Sequence, residues 1–72
     1  MVQVFSKPNC VQCKMTKSLL DNLGVPYQDI DVTKDETVLA RLVKEGKRAL
    51  PVVETTEDFW MGFNPSKIKA LA

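Results

Sequence analysis

The chain has no histidine, two cysteines and no excess of charge of either sign, since its formal net charge is +1 over 72 residues. Two cysteines without histidine leave a four-coordinate zinc site incomplete unless a second chain contributes ligands, so we predict no metal site. The interspersed charges give no basis for a nucleic-acid or membrane-surface partner. No apolar run approaches the roughly 18 residues of a membrane span.

The N-terminal residues 1–4 pass directly into a strand pattern, without the basic region and apolar segment of a signal peptide. We therefore expect a cytoplasmic protein. In a reducing compartment a lone Cys-x-x-Cys pair is more often catalytic or metal-binding than structural. The length corresponds to one small domain spanning 1–72, which we expect to be a monomer with a small core.

The cysteines, Cys10 and Cys13, lie three positions apart at the predicted start of a helix, one turn apart and within disulfide reach. The sulfur of Cys10 would lie beside the free N–H groups of the first turn, where the helix dipole favours thiolate over thiol. Lys7, Lys14 and Lys17 add positive charge, although such lysines are often only solvated. Because thiolate is the attacking species in thiol–disulfide exchange, the pattern indicates one activated cysteine and a second that resolves the product.

The first half of the chain predicts a strand, a helix, a strand and a helix. Residues 2–5 form the first strand, and Asn9 is a predicted N-cap for the helix that ends near Gly24. Residues 27–32 alternate as a second strand, and Thr33 with Glu36 predicts a capping box for the next helix. The predicted buried faces of the two helices are Val11, Met15, Leu19, Leu20 and Leu23, and Val38, Leu39, Leu42 and Val43.

The second half predicts two short strands and a last helix. Residues 51–54 begin with a proline, residues 58–61 follow after a turn, and the two strands are expected to pair as a hairpin. Asn64 and Pro65 are predicted to begin the last helix. The complete order is β-α-β-α-β-β-α, an α/β fold with a four-stranded mixed sheet flanked by helices, whose first two strands are parallel.

This order, with Cys-x-x-Cys after the first strand, resembles the minimal thioredoxin/glutaredoxin fold. The closer resemblance is to the NrdH-redoxins, which pass electrons to class Ib ribonucleotide reductase. Three segments carry it: 10–16 (C-V-Q-C-K-M-T, where that family has C-x-Q-C-K-x-T), 49–53 (A-L-P-V-V, for A-x-P-V-[VI]) and 60–65 (W-M-G-F-N-P, for W-S-G-F-R-P). Met61 and Asn64 depart from the family's serine and arginine.

The resemblance implies a dithiol–disulfide oxidoreductase in which Cys10 is the nucleophile and Cys13 the resolving thiol. It implies that the C-terminal tail of the ribonucleotide reductase large subunit is the client and that thioredoxin reductase is the electron source, with no bound cofactor. It also implies a cis peptide bond at Pro51, in a loop whose backbone binds the client between the flanking residues Leu50 and Val52.

The full predicted partner-binding set lies in the same three segments and the loop before them: Lys7, Val11, Gln12, Leu50, Pro51, Val52, Trp60, Gly62 and Phe63. For some of these a plainer interpretation stays open. Trp60 and Phe63 are also expected of an ordinary small core, and Pro51 of an edge strand. Gln12, between the cysteines, is predicted to be exposed and to tune either the redox potential or a partner contact.

Two alternatives remain at this point. A glutathione-dependent glutaredoxin is one, but the chain lacks the C-P-Y-C motif and retains only Gly62 of the glycine-glycine-[Cys/Ser]-Asp segment. A metal carrier such as a copper chaperone is the other, because it also has Cys-x-x-Cys between a first strand and helix. Such carriers resemble β-α-β-β-α-β and have methionine where this chain has Pro8.

Overall fold

The computed structural model describes residues 1–72 and confirms the predicted order of elements. A 3₁₀ turn, absent from the prediction, separates the second strand from the second helix at Val32–Lys34. The strands and helices are β1 (Val2–Ser6), α1 (Val11–Asn22), β2 (Tyr27–Asp31), α2 (Glu36–Lys44), β3 (Val52–Glu54), β4 (Phe59–Met61) and α3 (Pro65–Lys69).

The four strands form one mixed sheet in the order β2-β1-β3-β4. Strand β1 pairs in parallel with β2 and antiparallel with β3, and β4 pairs antiparallel with β3 as the predicted hairpin. The sheet therefore has the mixed topology that the sequence predicted. Because β1 and β3 are neighbouring antiparallel strands at the centre of the sheet, the loop that follows β1 and the loop that precedes β3 lie at the same end of the sheet.

Successive residues of the central strands point to opposite faces, so the sheet has two separate cores. We call the side that α1 and α3 cover the α1/α3 face and the side that α2 covers the α2 face. The core of the α1/α3 face contains Val4, Leu20, Val53, Trp60 and Ile68. The core of the α2 face contains Phe5, Val32, Leu42 and Val52.

Helix α1 does not bury the stripe that the sequence predicted. Its fully buried residues are Cys13, Thr16 and Leu20, whereas Val11 is 71% exposed and Met15 is 43% exposed. At 3.6 residues per turn, each step of four residues advances by about 40°, so an every-fourth stripe winds around the helix. Buried positions that are spaced by three and then four residues, as Cys13, Thr16 and Leu20 are, stay on one side of the helix instead.

Helix α2 is corrected in the same way, since Leu42 is its fully buried residue and Leu39 and Val43 are exposed. The predicted capping box is also wrong. Asp35 is the N-cap, and its Oδ1 accepts a hydrogen bond from the Val38 N–H at 3.1 Å. Asp31 caps the 3₁₀ turn before it, accepting from the N–H of Thr33 at 2.9 Å.

An ionic cluster closes the α2 face beside β3. The Glu54 carboxylate accepts from Lys47 Nζ at 2.8 Å and from Arg41 Nη2 at 3.2 Å, and Glu45 pairs with both cations at 3.0 Å. Burial opposes ionisation of Glu54, but these hydrogen bonds outweigh it and lower the pKa of the carboxyl. The two cations also cover aromatic rings, with Arg41 over Phe5 at 5.3 Å.

No helix in the structure combines the length and apolar composition needed to cross a bilayer.

Candidate active site

The redox pair lies where β1 passes through a short loop into α1. Asn9, the predicted cap, instead has a left-handed backbone with φ 60° and turns the chain toward the helix. Cys10 is the N-cap, and its Sγ accepts a hydrogen bond from the Cys13 N–H at 3.2 Å. Cys10 and Cys13 are joined as a disulfide with their Cα atoms 5.2 Å apart.

The two sulfurs differ in access. Cys10 is partly exposed, whereas Cys13 is 1% exposed and is one of the buried residues of α1, with Thr16 and Leu20. The hydrogen bond from the Cys13 N–H to the Cys10 sulfur and the positive end of the α1 dipole both favour a thiolate at Cys10 once the disulfide opens. Cys10 is therefore the more accessible of the two sulfurs.

The lysines around the motif do not act together. Lys17, which was predicted to add charge near the cysteines, forms an ion pair with Asp29 on β2, with Nζ 3.0 Å from Oδ2. The other oxygen of Asp29 accepts a hydrogen bond from the buried Ser6 hydroxyl at 2.8 Å. Lys7 and Lys14 are exposed and form no ion pair. The charge available near the cysteines thus comes from these two side chains.

The loop before β3 carries the cis peptide bond that the resemblance implied, between Leu50 and Pro51. The backbone N–H and C=O of Leu50 form no backbone hydrogen bond. Val52 is different, because its side chain is fully buried and both β1 and β4 pair with it. Leu50 is therefore the flanking residue with free backbone groups, and a client contact at Val52 stays a prediction.

Hydrogen bonds join the three segments that carry the family resemblance. Gln12 Oε1 accepts from the Phe63 N–H at 3.3 Å, although the two residues are 51 positions apart. The Gly62 N–H donates to the Pro51 carbonyl at 2.8 Å. Gly62 has φ +81°, and a Cβ built on it would lie 3.2 Å from Gln12 Oε1. Sequence reasoning left the role of Gln12 open, and the structure gives it this bridging bond.

The tail segment divides between core and surface. Trp60 is 7% exposed and belongs to the α1/α3 core, which is the plainer of its two interpretations, and a partner contact at Trp60 stays a prediction. Phe63 is half-buried and lines a shallow groove on α1 together with Met15. Met61 is exposed, and Asn64 caps α3 by accepting from the Lys67 N–H at 3.1 Å, as predicted.

Thr16 is a residue near the cysteines that sequence reasoning did not single out. It is 0% exposed, and its hydroxyl oxygen has no hydrogen-bond partner. The available signal was its place in segment 10–16, three positions after Cys13. A hydroxyl on a helix face otherwise occupied by Cys13 and Leu20 marks a position where polarity is retained inside the core.

The metal-carrier alternative predicts a different architecture from the one observed. Its β-α-β-β-α-β order does not match, because α2 follows β2 directly after the 3₁₀ turn. No group of three or more histidine, cysteine, aspartate or glutamate side chains is positioned to hold a metal ion together.

Comparisons with known proteins agree with this geometry. The family model described as glutaredoxin matches residues 2–60. The glutaredoxin-like protein NrdH of Lactococcus lactis subsp. cremoris is 38% identical over 73 residues, covering 100% of both chains. NrdH of Escherichia coli K12 is 33% identical over 70 residues, covering 97% of this chain and 86% of that protein.

A solved structure extends the similarity to the backbone. The glutaredoxin-like protein NrdH-redoxin from Escherichia coli, described as having a thioredoxin-like activity profile, superposes with a TM-score of 0.95. The identity is 32%, and the alignment covers 99% of this chain and 93% of that one. The similarity therefore includes the loops around the cysteines as well as the sheet.

Proposed function

The chain belongs to the glutaredoxin family, as a thiol–disulfide oxidoreductase of the NrdH-like type, and from that premise we propose that it supplies electrons to a class Ib ribonucleotide reductase. In the same proposal thioredoxin reductase restores the reduced protein. The observation that carries it is the pair of hydrogen bonds that joins the Cys-x-Gln-Cys segment, the Pro51 loop and the Gly62 turn into one site.

The reaction requires two electrons and two cysteines. Cys10 thiolate attacks one sulfur of the client disulfide, so that a mixed disulfide forms and one client thiolate leaves. Cys13 thiolate then attacks the Cys10 sulfur, which breaks the mixed disulfide and releases the second client thiolate. The Cys10–Cys13 disulfide retains the oxidation and is reopened by two electrons that the reductase takes from NADPH.

In this proposal the tail of a reductase subunit binds in extended form beside Cys10. Leu50 offers an unpaired backbone N–H and C=O, the groups that an added strand uses. Val11 and Met15 provide exposed apolar surface on α1 next to the cysteines. Lys7, whose charge is free of any ion pair, lies in the loop that precedes Cys10. These groups are the proposed client contacts.

The experiment follows NADPH consumption by the oxidised protein in two parallel assays. One contains thioredoxin reductase, and the other contains glutathione with glutathione reductase. We expect stoichiometric reduction of the disulfide with thioredoxin reductase alone, and continuous NADPH consumption with deoxyribonucleotide formation when a class Ib ribonucleotide reductase and its substrate are added. Turnover only with glutathione would assign the protein to the glutathione-dependent alternative.

Matched cysteine variants test the assigned roles in the same assays. Cys10→Ser removes the attacking sulfur and is expected to abolish turnover. Cys13→Ser leaves the attack intact and is expected to accumulate a mixed disulfide with the client, visible on non-reducing gels. Full turnover by Cys10→Ser would contradict the assignment, as would mixed-disulfide trapping by Cys10→Ser in place of Cys13→Ser.

A further inference from the structure

Thr16 and Cys13 share the buried side of α1 and are neighbours along it. Thr16 is 0% exposed and Cys13 is 1% exposed. Side chains three residues apart on a helix have their Cβ atoms about 5–6 Å apart. Helical side chains also lean back over the preceding turn, which places the side chain of Thr16 over the turn that carries Cys13.

The buried hydroxyl of Thr16 forms no hydrogen bond. Threonine inside a helix can donate to the carbonyl three or four residues earlier, yet Thr16 Oγ1 has no partner in the disulfide-bonded protein. A buried polar group without a hydrogen-bond partner is destabilising. A hydrogen bond that Thr16 makes only in the reduced protein, when the disulfide is open, accounts for a hydroxyl at this position.

We propose that Thr16 donates a hydrogen bond to the Cys13 sulfur when the Cys10–Cys13 disulfide is open and so stabilises the Cys13 thiolate for the resolving step. A charged sulfur is a far stronger acceptor than a disulfide sulfur. Rotation about one side-chain bond brings the hydroxyl from one favoured orientation to another. This inference rests on the roles of Cys10 and Cys13 proposed above.

The donor matters more for Cys13 than for Cys10. The Cys10 sulfur is partly exposed and already accepts the Cys13 N–H, whereas burial disfavours a charged Cys13 sulfur. In the resolving step Cys13 releases its proton to solvent and forms the bond to Cys10, while the electron pair of the broken bond leaves on the client sulfur, which takes up a proton. Thr16 keeps its own proton throughout.

Two variants separate the hydroxyl from the shape of the side chain. Thr16→Val removes the hydroxyl and keeps the branched shape, while Thr16→Ser keeps the hydroxyl and loses the methyl group. Each reduced protein is mixed rapidly with 5,5′-dithiobis(2-nitrobenzoate). The first thionitrobenzoate leaves when Cys10 attacks, and the second leaves when Cys13 resolves the adduct.

For Thr16→Val we expect the pH midpoint of the second release to rise by about one unit, with release about threefold slower at pH 7, because a less stable thiolate is scarcer but more nucleophilic. Above both midpoints only the nucleophilicity difference remains, so the variant becomes about threefold faster than the unmodified protein. This crossing of the two pH profiles is a result that altered packing does not produce. Thr16→Ser should follow the unmodified protein, and the first release should be unchanged throughout.

The redox equilibrium with dithiothreitol gives a second readout. At a pH midway between the two midpoints, Thr16→Val is expected to shift it toward the disulfide by about threefold, which equals about 14 mV for a two-electron couple. The oxidised variant should melt no lower than the unmodified protein, because it has lost an unpaired buried hydroxyl.

A Thr16→Val protein with an unchanged pH midpoint and an unchanged redox equilibrium overturns the proposal. Equal losses in Thr16→Val and Thr16→Ser also overturn it, because they would assign Thr16 a packing role. Both measurements use small-molecule thiol reagents only. Failure with ribonucleotide reductase or thioredoxin reductase would therefore not be mistaken for failure at Thr16.

Discussion

The two faces of the sheet are stabilised differently. The α1/α3 face has an apolar core that reaches the redox pair through Cys13 and Leu20 on the same side of α1. The α2 face has a smaller core whose rim is the ionic cluster of Arg41, Glu45, Lys47 and Glu54. The redox pair and this four-residue ionic cluster therefore lie on opposite sides of the sheet, and the α1/α3 side has the separate Lys17–Asp29 ion pair. The comparison predicts that substitutions on the two faces differ in their effect on thiol exchange even where they cost equal stability.

The largest expected effect comes from a matched pair of leucines. Leu20→Ala and Leu42→Ala each truncate a fully buried leucine, on the α1/α3 face and the α2 face respectively. Each should lower the free energy of unfolding by about 2–5 kcal/mol, a large share of what a domain of this size has. Denaturant unfolding of the oxidised proteins measures the loss.

The exchange rate then separates the two faces. In conditions where both variants remain folded, Leu20→Ala should alter the rate of thiol exchange, because Leu20 lies one turn beyond Thr16 below the cysteines. Leu42→Ala should leave the rate per folded molecule unchanged. Equal changes in rate for both variants would remove the distinction between the faces.

A glycine pair gives a smaller effect. Gly62→Ala and Gly46→Ala both place a side chain on a left-handed backbone, with φ +81° and +77°. Each should cost about 1–2 kcal/mol of folding free energy. The new Cβ at Gly62 also meets Gln12 Oε1 at 3.2 Å, whereas nothing lies within 4 Å at Gly46.

We therefore expect the two glycine variants to lose similar stability in denaturant unfolding, while only Gly62→Ala changes the kinetics of Cys10 attack. The physical reason is displacement of the Gln12 side chain from the Phe63 N–H. If Gly46→Ala slowed the attack as much, the bond between Gln12 and Phe63 would not be the cause.

The smallest effect concerns the ionic cluster and depends on pH. Because the pKa of Glu54 is lowered on folding from its ordinary value of 4.5, ionised Glu54 stabilises the folded state above that pH. That contribution is lost as the pH falls through the lower, folded-state value. Glu54→Gln should therefore destabilise the protein by about 1 kcal/mol at neutral pH and progressively less on acidification below pH 4.5.

The matched control is Glu57→Gln, because Glu57 is exposed and forms no ion pair. Thermal unfolding of both variants from pH 7 to pH 3 measures the difference. A Glu54→Gln deficit that stays constant over this range would show that the lost stabilisation is not the ionised pair.

The sequence predicted the order of elements and the redox pair because these depend on local signals. Turn residues, periodic apolar positions and the spacing of Cys10 and Cys13 all act within a few residues. The parallel pairing of β1 with β2 and the hairpin of β3 with β4 follow from that order. The cis bond at Pro51 followed from the family resemblance alone.

The errors occurred where equivalent residues compete or where distant segments meet. Asp31 and Asp35 act as caps in place of Thr33 and Glu36, and sequence spacing alone does not rank such neighbours. Cys13 and Thr16 were not counted as core residues because their side chains are not classed with the large hydrophobics. The bond from Gln12 to the Phe63 N–H required the whole sheet to be known.

The hydrogen bond between Gln12 and Phe63 also determines when the complete site can form during synthesis of the chain. Both cysteines are synthesised long before Phe63, since Gln12, which lies between them, and Phe63 are separated by 51 positions. The nascent thiols are therefore present before β3, β4 and the Gly62 turn exist to surround them. A chain that stops short of its final strand would contain the Cys-x-x-Cys sequence without the site, and its thiols would react as those of an ordinary peptide.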